Sequence, residues 1–230
     1  MGKDKLRKFA ENLTFENLIQ PEFDDIFHRD HLLKGHWAES FFKNTAPITL
    51  ELGCGKGEYT VGLGSAAPER NFIGIDIKGA RMWRGAKTAT EMGLRNVGFL
   101  RTRIEFIESF FGPGEVSEIW ITFPDPQLKK GRENKRLTSP LFLARYVRFL
   151  SPGGVIHLKT DSRELHDYTR RVISANDLPL VVASTDIYGE SLATTTALAL
   201  KTTYERRFLD EGKPITYLRF GLADRRDFGM

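Results

Sequence analysis

From residue 48 onward the chain alternates between two hydrophobic periods, and that alternation limits its fold more than any other feature. Short apolar runs stand at 48–52, 71–75, 97–100, 118–123 and 155–159. Each has the length of a buried strand and is too short for a helix of ordinary size. Between them lie stretches with helical spacing at 59–67, 78–92, 104–111, 141–150 and 163–175. Strands that alternate with helices argue for a parallel sheet with helices on both faces. Two further runs, 180–184 and 215–220, close the chain as an antiparallel edge pair. The expected fold is therefore α/β, with a mostly parallel seven-stranded sheet and an antiparallel edge strand. Residues 1–47 have no strand pattern. They carry charge and the aromatics Phe9, Phe15, Phe23, Phe27, Trp37, Phe41 and Phe42. They read as an N-terminal helical extension that packs on the domain or closes over a ligand. The expected organisation is this extension, a domain over 48–221 and a tail over 222–230.

Composition removes several function classes. Cys54 is the single cysteine, which excludes an internal disulfide and a multi-cysteine zinc site. No apolar run approaches the ~20 residues of a membrane-spanning helix. Near the start, Lys3, Lys5, Arg7 and Lys8 interleave with Asp4, Glu11 and Glu16, which is no secretory signal. The expected compartment is the cytoplasm, with no membrane partner. His28 and His31 have ligand-like spacing, but no second pair completes a site, so no metal is expected. No Ser-His-Asp arrangement is visible. Cys54, between two glycines, reads as small filler, and His157, Trp83 and Trp120 read as core.

The first apolar run ends in Glu51-Leu52-Gly53-Cys54-Gly55-Lys56-Gly57. In open α/β sheets ligands bind outside the carboxyl ends of the strands, where glycines let the backbone turn and approach the ligand. A dinucleotide loop wants Gly-x-Gly-x-x-Gly. Here Glu58 holds the third glycine's place and Gly57 comes one residue early. Glu51 and Glu58 both repel a pyrophosphate. The loop suits a cofactor without phosphate and with positive charge, and S-adenosylmethionine has both properties. Asp76 ends the second run at the spacing of an acid that accepts ribose hydroxyls.

The fourth run ends in Phe123-Pro124-Asp125-Pro126. Two prolines fix the backbone around one carboxylate and remove amide donors beside it. Read alone, this is either a rigid catalytic strand end or a stiff turn whose Asp caps the next segment. Residues 126–150 then hold seven Lys/Arg against one acid, Glu133, although the whole chain has 34 against 30. The run is either a solvated face or a grip on a polyanion. Likewise Lys3, Lys5, Arg7 and Lys8 are either a mobile hold on RNA or a solvated end.

Taken together, these segments resemble the bacterial tRNA (guanine-N7-)-methyltransferase family, TrmB, within the class I S-adenosylmethionine-dependent methyltransferases. The resemblance is carried by the glycine loop with Asp76, by Phe123–Pro126 with its basic continuation, by Ser151-Pro152-Gly153-Gly154, by Lys159-Thr160-Asp161 and by Thr202-Thr203-Tyr204-Glu205. It implies a Rossmann-like methyltransferase fold and transfer of a methyl group from S-adenosylmethionine to guanine N7 in tRNA, at guanosine 46 of the variable loop. It implies Asp125 as the catalytic residue, touching cofactor and substrate. It implies cofactor contacts from Glu51, Gly53, Gly55, Asp76 and Arg103. It implies substrate contacts for Lys129, Asp161, Thr202, Thr203, Tyr204 and Glu205, while the place of the basic run just after Asp125 assigns RNA phosphates to Lys130, Arg132, Lys135 and Arg136. Gln127 stands where many members carry an aromatic residue. Two other classes stay open: a methyltransferase for another RNA, a protein or a small molecule, and an RNA-binding subunit without cofactor. The oligomeric state, monomer or homodimer, is open as well.

Overall fold

The structure, a computed structural model, describes residues 2–222 and 228–229, with side chains from residue 4 on. The side chain of Lys3 and most of the expected tail over 222–230 lie outside the described residues. The chain forms two compact units, 1–112 and 113–230.

The first unit begins with α1 (Gly2–Asn12), β1 (Leu18–Ile19) and α2 (Phe23–Ile26), followed by a π-helical turn, Trp37–Phe42. β2 (Ile48–Leu52), α3 (Glu58–Ala66), β3 (Asn71–Asp76), α4 (Gly79–Glu91) and β4 (Val97–Arg101) then alternate as the sequence pattern requires. The strands lie in the order β1-β4-β3-β2 and pair in parallel. All five residues of β2 are buried, as a parallel strand covered on both faces must be. β1 is an eighth strand, in a segment read as having none. At two residues it is too short to show a period, and pairing alone defines it, Leu18 with Phe99 and Ile19 with Leu100. The helix expected at 104–111 is a 3-10 turn over Ile104–Ser109. Phe110 and Phe111 leave it for the core, where the Trp37 indole N–H donates to the Phe110 carbonyl at 2.7 Å and the Trp37 ring stacks on Phe111.

The N-terminal segment is thus part of the first unit's packing. Trp37 has no exposed surface, and a Cβ on Gly98 would stand 2.5 Å from the Phe41 ring. α1 lies on α4 through Trp83, whose indole N–H donates to Glu11 at 2.8 Å. Arg7, Lys8 and Lys87 all sit over the Trp83 ring, at 5.0 to 5.2 Å from its centre. Trp83 is half-buried beneath this helix and is not core, because cations rather than apolar side chains cover it. Arg7 and Lys8 are also paired with Asp4, so two of the four early cations serve α1 itself.

The second unit contains β5 (Val116–Thr122), a 3-10 turn over Glu133–Lys135, α5 (Pro140–Tyr146), β6 (Leu150–Thr160), α6 (Arg163–Ala175), β7 (Leu180–Ser184), α7 (Thr196–Ala199), α8 (Thr203–Asp210) and β8 (Thr216–Gly221). The strand order is β5-β6-β8-β7. β5 and β6 are parallel, and β8 runs antiparallel to both β6 and β7. The closing pair is antiparallel as expected, with the mostly exposed β7 as its outer member. α5 stops at Tyr146, short of the expected 150, because Leu150 already pairs with Val116 as the first residue of β6. No helix among the described residues is long and apolar enough to cross a membrane.

Candidate active site

Within the first unit, the ends of β2, β3 and β4 carry Glu51, Gly53, Gly55, Asp76 and Arg103 of the expected cofactor residues, and Asp125 belongs to the second unit. The Gly53 and Cys54 amides donate to the Ile75 carbonyl at 2.8 and 3.0 Å. Gly53, Gly55 and Gly57 all have positive φ, which glycine adopts without strain. Asp76 accepts from the Gly55 amide at 2.9 Å and from the Lys78 amide at 2.8 Å. One ionised carboxylate has about four acceptor positions, so Asp76 retains capacity for hydroxyl donors. Glu51 is buried, and its Oε2 accepts from the amide and the hydroxyl of Thr60, which ties the loop to the first turn of α3. Gly57 does the work of a third glycine. A Cβ there would meet the Phe99 ring at 2.5 Å and Gly85 at 3.1 Å, so its absence lets α3, α4 and β4 close together. Burial, with the negative charges of Glu51 and Asp76, pushes the Cys54 thiol well up, and it stays a small neutral filler.

Arg103 is exposed and stands at the N-terminal end of the 3-10 turn after β4, without a side-chain capping bond. Beside it opens a cavity of about 460 Å³, with Ile77, Thr102 and Phe106 on one side and Phe9 and Phe23 of the N-terminal segment on another. Sequence reasoning named none of these as site residues. The aromatics of residues 1–47 were the available signal, since such side chains must cover something.

Within the second unit, the ends of β5 and β6 and the start of α8 carry Asp125, Asp161 and Thr202 to Glu205, while Lys129 stands on the exposed excursion after Asp125. Asp125 is exposed in a turn whose ends, Phe123 and Gln127, have φ of 47° and 49° without being glycine. The Gln127 amide donates back to Asp125 Oδ1 at 3.0 Å, closing an Asx-turn. The Phe123 amide donates to the Lys159 carbonyl at 2.8 Å, which fixes this turn to the end of β6. Asp161 follows two residues later, and partial burial pushes its carboxyl up from the usual range. Lys213 stands 4.0 Å away.

Thr202 caps α8 by accepting from the Glu205 amide at 3.1 Å, and Thr203 and Tyr204 are exposed beside it. Glu205 itself has no exposed surface. Its carboxylate is 2.8 Å from Lys159 Nζ, which is equally buried, and accepts from the Tyr188 hydroxyl at 2.7 Å. Lys159 also donates to the carbonyls of Leu198 and Leu200. Burial pushes the Lys159 ammonium pKa down, and the Glu205 charge opposes that shift. Glu205 therefore anchors the segment that presents Thr203 and Tyr204. The pattern Thr202-x-x-Glu205 is a capping-box signature that sequence reasoning passed over.

Of the basic residues, Lys129, Lys130, Arg132 and Lys135 are exposed on the excursion 128–135. Arg136, grouped with them on sequence, is buried, with its guanidinium over the Tyr168 ring at 4.2 Å. His157 and Trp120 are buried and stacked together at 3.9 Å, and His157 Nδ1 is 2.7 Å from the Tyr217 hydroxyl, as a satisfied core histidine should be.

Residues 45–218 match the model of a family described as putative methyltransferases. The tRNA (guanine-N(7)-)-methyltransferase of Christiangramia forsetii is 54% identical over 95% of this chain and 98% of its own length. The corresponding Porphyromonas gingivalis protein is 54% identical over 92% of this chain and 86% of its own. Among solved structures, the 16S rRNA methyltransferase KamB superposes with a TM-score of 0.61 at 17% identity, covering 80% of this chain and 92% of that one. A 16S rRNA (adenine(1408)-N(1))-methyltransferase from Catenulisporales acidiphilia, solved as a point mutant with its cosubstrate SAM, gives a TM-score of 0.54 at 17% identity, covering 84% and 92%. The fold is thus that of the class I methyltransferases, and the chain belongs to the tRNA (guanine-N(7)-)-methyltransferase family.

Proposed function

We propose that the protein transfers a methyl group from S-adenosylmethionine to N7 of guanine in tRNA, at guanosine 46 of the variable loop. The observation that carries this reading is the exposed Asp125 in its proline-flanked turn, followed at once by an exposed basic excursion. It stands in a chain 54% identical to proteins named tRNA (guanine-N(7)-)-methyltransferases. Such an activity belongs in the cytoplasm, with tRNA as partner.

The residues of the first unit fit the cofactor. Asp76 keeps acceptor capacity for ribose hydroxyls, Gly53 and Gly55 carry no side chain that would keep a ligand off the backbone there, and the cavity beside Thr102 and Arg103 has room for a purine. The carboxylates of Glu51 and Asp76 favour a cationic ligand over a pyrophosphate. When bound, S-adenosylmethionine supplies an electrophilic methyl group on a sulfonium.

Guanine N7 is a lone pair without a proton, so no residue of this chain acts as a general base in the attack. The purine gains positive charge instead, and a fixed carboxylate stabilises it. Asp125 takes that role, because its turn leaves it exposed and held at the backbone. Asp125 and Asp161 accept from the guanine N1–H and N2–H₂ edge, a donor pattern that adenine lacks. Thr203 and Tyr204 contact the nucleotide from the start of α8, which Glu205 anchors. Lys129, Lys130, Arg132 and Lys135 hold phosphates. Extracting a base from folded tRNA costs a few kcal/mol, and these contacts offset it.

The test is incubation with methyl-tritiated S-adenosylmethionine and unmodified tRNA, followed by nucleoside analysis. Label is expected in 7-methylguanosine and is lost from a transcript with adenosine at position 46. Label in another nucleoside would refute the reading. Asp125→Ala is expected to lower the turnover rate by about 10²–10³-fold, with cofactor affinity by calorimetry changing far less.

A further inference from the structure

We propose that Arg136 is a positioning residue for Asp125, acting as a clip that closes the neck of the basic loop and so holds the turn bearing the carboxylate. The inference rests on the role proposed for Asp125. Arg136 is 7% exposed in a stretch where residues 128–135 are all exposed. Its Nε donates to the Pro126 carbonyl at 3.1 Å and its Nη2 to the Gln127 carbonyl at 3.4 Å. Its Nη1 lies 3.7 Å from Glu133, and the guanidinium rests on Tyr168 of α6. The loop thus leaves at Gln127, returns at Arg136, and is fastened where its two ends meet.

The turn needs such a fastener. Pro124 and Pro126 have no amide hydrogen, so this stretch offers few donors of its own. Phe123 and Gln127 sit in the left-handed region, which persists only where the surroundings over-determine it. Arg136 can over-determine it because its own backbone is anchored. The Ser139 amide donates to the Arg136 carbonyl at 2.9 Å, the Tyr146 hydroxyl to the Leu137 carbonyl at 3.0 Å, and Thr138 pairs with Thr169 of α6 at 2.7 Å. The chemistry asks for arginine. A planar fork reaches two carbonyls while stacking on an aromatic ring, and a lysine ammonium cannot do both. A phosphate contact would need the guanidinium in solvent, where the four cations of the loop stand.

The full-length Arg136→Lys variant tests this by steady-state kinetics with unmodified tRNA and by limited trypsin digestion, which reads the exposed Lys129, Lys130 and Arg132. The clip predicts kcat down by about a hundredfold, the size of a ~1 Å misplacement. KM for tRNA and the salt slope of binding stay as in the wild type, and the loop is cut faster. An unchanged kcat, with a raised KM and a salt slope for Arg136→Ala smaller by about one, would make Arg136 a phosphate contact and overturn the proposal. Should both substitutions unfold the chain, Tyr168→Leu leaves the guanidinium in place and removes its platform. The clip predicts a lower kcat and faster cutting there too, and wild-type values in both would overturn it. If the wild type fails to form 7-methylguanosine, the proposed function falls, whereas equal digestion of wild type and variants is what sinks the clip.

Discussion

The two turns that follow β2 and β5 solve the same geometric problem with different means. Each must reverse the chain at a strand end and leave room for a ligand. In Gly53–Gly57 the positive φ values fall on glycines, and short backbone bonds to Ile75 hold the loop. In Phe123–Gln127 they fall on Phe and Gln, two prolines remove donors, and a backbone bond to Lys159 is joined by the Arg136 side chain on the Pro126 and Gln127 carbonyls. The first turn is relaxed by composition, and the second is strained and braced. A cofactor loop needs an open backbone surface. A catalytic carboxylate needs one orientation, and a braced turn supplies it. The same division extends to the anchors, since the second unit also commits a fully buried ion pair, Lys159 with Glu205, to placing α8.

Removing one half of that pair tests the braced side most severely. Lys159→Met leaves the Glu205 carboxylate buried beside Tyr188 with its cation gone. The expected loss is about 3–5 kcal/mol of unfolding free energy, measured by urea titration. The double variant Lys159→Met with Glu205→Gln should regain a large part of it, because no uncompensated charge then remains. If the single variant lost less than the double, the pair would be no anchor.

On the relaxed side the glycines divide by their surroundings. Gly57→Ala forces a Cβ against Phe99 at 2.5 Å in addition to its left-handed backbone, so strain of about 1–2 kcal/mol adds to overpacking of about 1–3 kcal/mol. Gly55→Ala meets nothing nearer than a carbonyl at 4.0 Å and carries the backbone term alone. Thermal unfolding should rank Gly57→Ala clearly below Gly55→Ala. Equal losses would mean that Phe99 moves aside and that Gly57 has no packing role.

The sequence displayed the relaxed side far better than the braced one. A glycine loop after a short, mostly apolar run is a local pattern, so β2, Gly53, Gly55 and Asp76 were visible from neighbours in the chain. Phe123–Pro126 was visible for the same reason, since proline fixes its own φ and removes its own donor. Arg136 was not, because nothing next to it separates it from Lys135. The Pro126 and Gln127 carbonyls, with Tyr168 far along the chain, turn one cation inward and leave the other in water. Lys159 and Glu205 each looked like ordinary motif members, and their pairing depends on α8 docking against the end of β6. β1 escaped because two residues cannot show a period. Contacts that bring distant residues together were hidden, and conformations that a residue imposes on itself were legible.

The mildest test exchanges the two strategies at one position. Gln127→Gly gives the braced turn the residue type that the relaxed turn uses. Its φ of 49° then costs nothing, so folding should gain up to about 1 kcal/mol. Glycine also frees the unfolded chain, which takes part of that gain back. The carbonyl that Arg136 reaches is retained, because it belongs to the backbone. If strain is merely tolerated, the variant is slightly more stable and turns over like the wild type. If the strained backbone is what holds Asp125 in one orientation, stability rises while kcat falls by several-fold, and the double variant with Arg136→Lys falls little below Arg136→Lys alone because both changes loosen the same turn. The second result is expected, and a stabilised Gln127→Gly enzyme with full activity would show that Arg136 alone sets the turn.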